Sequence, residues 1–364
     1  MDFKLTEEQA LIQQSIKEFI SEQSGAPVGE ILKSLAEIDF MGIFLDEEMG
    51  GAGGDFTSYI LALEEIAKVS PSAALAFAIN STQVEYALNL FGSLELKNRY
   101  LSQLCKGEIF GAYAYSEQGI GEDLLSIDTT VEKNQDSYVL NGSKTFVLGG
   151  GENDLYIVFA KGEKGLSAFV VEAEFQGVSF GTPYRKMGLD GVVATTMNLE
   201  NVIVPIENLV GEEGKAEVIV REVQDVHNIS LATIAVGISE AGMDMAIAYG
   251  KERQQFRVPV ITFEALREKI GEMTTNIEAA RLLTYKAAAC KDDGESFIET
   301  AKMAKYFAIK TGEDNVREAI QIHGGYGYTR DLGVERLFRD MKGLNVIDSV
   351  AKPLVIAIAD EKIS

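Results

Sequence analysis

From Leu5 to about residue 107 the apolar positions recur every three or four residues. Thr6 and Gln9 form a T-x-x-Q capping box, after which Ala10, Ile12, Ile16 and Phe19 mark one face of a helix. The stretches "EILKSLAEIDFMGIFL" and "TSYILALEEIAKVSPSAALAFAI" continue in that period. Between them lies "EEMGGAGGDF", which reads as a breaker and hinge: it lacks GxxxxGK, and no strand feeds it. From about 108 to 210 the period drops to two. "DTTVEKNQDSYVLNGSKTFV" predicts strand, turn, strand, turn, strand, with Asn141-Gly142 as a type I′ hairpin turn. "DLYIVFA", "LSAFVVEA", "GVSFG" and "TTMNLENVIV" follow as short strands. From about 215 three long helical segments return, the first rich in Ala, Gly and Ser that allow close helix packing.

This order predicts a multi-domain α+β protein: an N-terminal α-helical domain over 1–107, a middle β-barrel-like domain over 108–212 and a C-terminal four-helix bundle over 213–364. Strands grouped between helical blocks argue against βαβ winding.

Charge and cysteine content narrow the partners. The 56 acidic and 33 basic side chains leave a net charge of −23, which argues against nucleic acid as the main partner while leaving room for a local basic pocket. Cys105 and Cys290 are the only cysteines, and neither stands in a CxxC; two reduced thiols fit a cytoplasmic protein. The charged first twenty residues match neither a signal peptide nor a membrane span. No metal site is expected.

Six stretches together carry a resemblance: "YAYSEQGIGEDLLSIDTT", "YVLNGSKTFVLGGGENDLYIVFA", "KMGLDGVVATT", "NVIVPIENLVGEEG", "YGKERQQF" and "QIHGGYGYTRDLGVERLFRD". Each alone is weak, but in this order and spacing the chain resembles the acyl-CoA dehydrogenase family over essentially its whole length. The resemblance implies an extended FAD between the β domain and the bundle. It implies a thioester substrate whose Cα proton goes to a carboxylate while a hydride passes from Cβ to flavin N5. A thioester Cα–H is only feebly acidic, so such a site must polarise the carbonyl and hold a base within hydrogen-bond reach.

Carried over residue by residue, Tyr115 and Ser116 touch the flavin ring and its pyrimidine edge, and Phe146 and Val147 flank the ring near N5. Arg253, Gln255 and Phe256 match an element that reaches a neighbouring subunit's FAD, with Arg253 on the pyrophosphate. Gln321, Gly324 and Gly325 match a second element clasping that FAD, where glycine lets backbone approach closely. The resemblance also implies a homotetramer or homodimer and electron exchange with an electron-transferring flavoprotein. Without it, Phe146 reads equally as a strand's inner residue, Arg253 as a solvated helix charge and the glycine pair as a helix cap.

The departures are as informative. Counted from Gly324-Gly325, the family's Tyr-Glu-Gly-Thr becomes Ile347-Asp348-Ser349-Val350, so Asp348 falls on the base. It reaches about 1.3–1.5 Å less far than glutamate, and a misplacement near 1 Å costs on the order of a hundredfold. The family's Asp-x-x-Arg becomes Asp225…Asn228, and His227 stands where some branches supply their base, suited to acid–base work near neutral pH. His323 reads as structural. Leu148 replaces a flavin-bonding Thr, Glu122 a Ser near the CoA arm and Asp190 a frequent Arg; the two added negative charges disfavour free CoA. Three readings follow: an FAD-dependent acyl-CoA dehydrogenase, a dehydrogenase of a carrier-protein-bound or modified acyl thioester, and a decayed or partner-dependent subunit.

Overall fold

Thr6 opens the first helix as its spacing predicts. Its hydroxyl accepts the Gln9 N–H at 3.1 Å, and the Gln9 side chain accepts the Thr6 N–H at 3.1 Å. The computed structural model describes residues 4–119, 126–347 and 351–363. Helices α1 (Glu7–Glu22), α2 (Val28–Glu37) and α3 (Phe56–Val69) follow the predicted period. The apolar run after α3 is broken: Ser70 leaves helical geometry and caps α4 (Pro71–Ala78) by accepting the Ala73 N–H, with Pro71 at the first helical position. Beyond α4 the chain widens into a π-helical segment, Ile79–Glu85, before α5 (Tyr86–Phe91) and α6 (Leu94–Cys105).

The middle of the chain forms β1 (Gly111–Ala114), β2 (Thr130–Lys133), β3 (Ser137–Leu148), β4 (Leu155–Gly162), β5 (Gly165–Glu172), β6 (Val178–Phe180), β7 (Ala194–Pro205) and β8 (Leu209–Val210). Among the described residues they make one sheet in the order β6-β7-β3-β2-β4-β5-β8, with β1 parallel to β4. The expected turn at Asn141-Gly142 is corrected here. β3 runs straight through that pair, with a register shift against β7, and the chain turns earlier, where the Asn134 N–H meets the Ser137 carbonyl at 2.8 Å. Glycine serves close approach instead: a Cβ at Gly142 would lie 2.7 Å from the Thr129 Cα.

Helix α7 (Ala216–Glu252) is long and apolar enough to cross a membrane by length and composition, but most of that stretch is buried within the protein. A short hairpin, β9 (Gln254–Gln255) and β10 (Val258–Pro259), leads to α8 (Glu264–Asp292), α9 (Ile298–His323), α10 (Val334–Val346) and α11 (Ala351–Ile363). Two locks tie this bundle to the rest. Glu64 of α3, 1% exposed, accepts from Arg281 Nη2 at 2.9 Å and from the Tyr285 hydroxyl at 3.0 Å, and Arg281 also pairs with Glu240 of α7. On the β side, the buried Asp340 carboxylate accepts the Leu189 N–H at 2.6 Å. There a Cβ at Gly188 would stand 2.6 Å from the Asp340 backbone nitrogen.

Candidate active site

The first cluster of predicted cofactor residues lies on β3 and the segment after β1. The Thr145 N–H donates to the Ser116 carbonyl at 2.8 Å, so residues 115–117 lie alongside β3. Ser116 and Phe146 are exposed, Tyr115 is half-buried, and Val147 turns into the sheet core, leaving its backbone as the part able to meet a ligand. Phe146 holds φ at +54°, where the β3–β7 register shifts, and stacks on Tyr184 with centroids 5.6 Å apart. A left-handed aromatic costs about 1–2 kcal/mol, and such strain collects where a ring must be aimed. Leu148 lines a cavity of about 120 Å³ with Val28, Phe110 and Val192.

The second cluster lies at the end of the bundle. Arg253, Gln255, Gly324 and Gly325 line one open concavity of about 500 Å³, with Tyr249 and His323 in its wall. The hairpin tip carries two consecutive left-handed residues, Phe256 at +51° and Arg257 at +70°, the backbone of a type I′ turn without its usual glycine. It thrusts Phe256 out, 88% exposed. His323 is buried, bonds the Ala319 carbonyl through Nδ1 at 2.7 Å and stacks on Tyr249 at 4.6 Å, fixing α9 to α7. Gln321 is exposed on the last turn of α9, outside that wall.

A nucleotide-like cofactor fits these residues. No atom lies within 4 Å of where a Cβ would stand on Gly324 or Gly325, so the backbone is bare toward the concavity. Among the described residues Arg253 has no carboxylate partner, which leaves an exposed guanidinium for a phosphate. Tyr115, Ser116, Phe146 and Val147 do not line this concavity.

The α7 residues are placed otherwise than expected. His227 is fully buried, and its Nδ1 lies 2.8 Å from the Thr82 hydroxyl, which itself donates to the Ala78 carbonyl at 2.7 Å. Thr82 has one proton to give, so Nδ1 carries the hydrogen of that contact. The expected second base thus stands in the core, holding the π segment to α7. Asn228 is buried and accepts from Gln224 at 3.2 Å.

Asp225 is half-buried. Burial, opposed by Lys302 and reinforced by Glu222 and Glu361, pushes its carboxyl up to about 6 from 3.8. The folded state therefore binds a proton that the unfolded state has released, so stability rises as pH falls from about 6 to about 4. In Asp225→Asn that contribution is expected to vanish, flattening the melting temperature against pH in this window relative to the parent.

Asp348 and Glu122 lie outside the described residues. Asp190, expected to repel a CoA phosphate, is exposed but lies 3.4 Å from Arg339 Nη1, so its charge is partly balanced.

Three family models match in succession: the N-terminal domain of acyl-CoA dehydrogenase over residues 6–108, the middle domain over 112–202 and the C-terminal domain over 219–348. The chain belongs to the acyl-CoA dehydrogenase family. It is 37% identical to a short-chain-specific acyl-CoA dehydrogenase of Clostridium acetobutylicum over 99% of both chains. It is also 37% identical to a 3-(aryl)acrylate reductase of Clostridium sporogenes, over 97% of this chain and 98% of that one. Among solved structures it superposes on butyryl-CoA dehydrogenase from Megasphaera elsdenii with a TM-score of 0.95 at 34% identity, covering all of both chains. As a member of this family the chain is an FAD-dependent oxidoreductase acting on the Cα–Cβ bond of acyl-CoA thioesters.

One pair of this site escaped the sequence reading. Lys144 and Glu117 are buried together, with Lys144 fully inaccessible. The strand period carried the signal: Lys144 is in phase with the inward Tyr138 and Leu140. Glu117 has no such marker.

Proposed function

We propose that the chain acts on short-chain acyl-CoA thioesters, with Asp348 as the base that removes the Cα proton. The FAD lies between the Tyr115–Ser116 and Phe146–Val147 face of one subunit and the Arg253–Gly325 clasp of another. FAD supplies the hydride acceptor. Arg253 would hold the pyrophosphate, Gly324 and Gly325 would offer backbone to the cofactor, Gln255, Phe256 and Gln321 would border that clasp, and Phe146 would flank the ring. His227 is a packing residue. Electrons exchange with an electron-transferring flavoprotein, a partner named for a relative, the caffeyl-CoA reductase–Etf complex subunit of Acetobacterium woodii, and for a structural neighbour from Acidaminococcus fermentans. A cytoplasmic place goes with this reading, in line with two cysteines that form no disulfide among the described residues.

The observation that carries this reading is the bare Gly324–Gly325 backbone beside an exposed Arg253 that has no carboxylate partner among the described residues, in a concavity that Phe146 does not line. The shared cofactor makes a homotetramer or homodimer the working unit. The test is a visible spectrum of the purified protein before and after butyryl-CoA. Flavin bands that the ester bleaches support the reading. Bands bleached only by an acyl-carrier-protein thioester overturn the CoA assignment, and absence of flavin after incubation with FAD overturns the site. Arg253→Ala is expected to weaken FAD binding by roughly ten- to a hundredfold, the scale of one charge-assisted hydrogen bond, as read by titrating apoprotein with FAD.

A further inference from the structure

The Tyr115–Glu117 segment continues β1 past its last pairing with β4 at Ala114, so it needs other support. One backbone bond, Thr145 N–H to Ser116 carbonyl, links it to β3. Two buried charges add to it. Lys144 Nζ lies 2.5 Å from Glu117 Oε1 and 3.4 Å from the Tyr115 carbonyl oxygen, so a side chain does what a ladder bond would do. Glu117 also accepts the Asp128 N–H at 2.7 Å, the Thr129 N–H at 3.1 Å and the Thr129 hydroxyl at 2.5 Å. Thr129 is itself pressed against β3 at Gly142, where a Cβ would lie 2.7 Å from the Thr129 Cα. Three stretches of chain therefore meet on one carboxylate, that of the residue next to Ser116.

A buried ion pair is a costly way to hold a sheet together, since two apolar side chains of similar volume do so without the desolvation penalty. Its distinctive property is geometric: charged donors and acceptors fix a backbone at hydrogen-bond precision, which packing does not. We propose that Glu117 and Lys144 are positioning residues for the flavin, a buried pair that sets the Tyr115–Ser116 backbone at the spacing from β3 where it meets the ring. The inference rests on the reading that Tyr115, Ser116 and Phe146 face the flavin. Neither residue of the pair touches the cofactor; they act through the backbone of residues 115 and 116.

The experiment compares Lys144→Met, the charge-free double variant Glu117→Gln/Lys144→Met, and Phe146→Ala as a control on the site itself. Circular dichroism and melting of the apoproteins report folding, while FAD titration and the flavin visible bands report the site. The double variant leaves no unpaired charge in the core and decides the question if Lys144→Met fails to fold. The expected result is a folded double variant whose FAD dissociation constant rises roughly ten- to a hundredfold and whose flavin bands shift or lose their fine structure. A folded double variant with parental FAD affinity and unchanged bands, while Phe146→Ala perturbs them, overturns the inference alone. Unchanged bands in every variant overturn the placement of the flavin at this face, and the inference with it.

Discussion

Asp348→Asn is expected to lower turnover by roughly 10²–10⁴-fold with flavin still bound, the range lost with a general base. Asparagine matches aspartate in size and keeps an acceptor oxygen, but it does not take the Cα proton. The measurement is single-turnover bleaching of the flavin by butyryl-CoA in parent and variant, with the oxidised flavin spectrum as the check that cofactor binding is intact. Parental bleaching by Asp348→Asn would remove the assignment. Asp348→Glu, which lengthens the reach by one methylene, is expected to change turnover by up to about a hundredfold while still bleaching faster than Asp348→Asn, because the carboxylate survives and only its distance changes. Repeating both substitutions beside His227→Gln tests the packing role of His227: that change alone is expected to lower the melting temperature, since a fully buried, hydrogen-bonded ring is lost, and to leave bleaching by the parent's base in place.

The second large effect is on stability. Glu64→Ala is expected to destabilise the folded chain by about 3–5 kcal/mol, the cost of breaking a buried pair from one side. Glu64 is almost wholly buried, and the Arg281 guanidinium and the Tyr285 hydroxyl converge on it from α8. Burial lowers the proton affinity of Arg281, but Glu64 and Glu240 more than reverse this, so the guanidinium stays charged and loses its most buried partner once Glu64 goes. Glu240 and Glu278 still touch Arg281, which places the expected loss at the lower end of that range. The check is denaturant unfolding of parent and variant. A change below about 1 kcal/mol, the scale of an exposed ion pair, would show that this network does not carry the contact between α3 and α8.

Several elements were legible because they depend on neighbours in sequence. The α1 capping box needs only Thr6 and Gln9, and both of its bonds form. The change from helical to alternating period near residue 108, and back near 215, marks where the sheet begins and ends. The Asn141-Gly142 pair misled for the opposite reason. Its dipeptide signature is that of a hairpin turn, yet Gly142 is there to admit Thr129, a contact that exists only once β2 has folded beside β3. His227 shows the same dependence: its position on α7 suggested a base, and its burial comes from a π segment about 145 residues earlier in the chain.

By itself, the sequence determined the order of helical and strand-forming blocks and the family they spell, since both are written in periods and in short ordered motifs. Only the tertiary structure decided that Arg253, Gln255, Gly324 and Gly325 share one concavity, that Glu117 and Lys144 meet in the core, and that His227 is sealed there. Each of these depends on side chains far apart in sequence, whose burial and pairing are settled when the sheet, the π segment and α7 pack together.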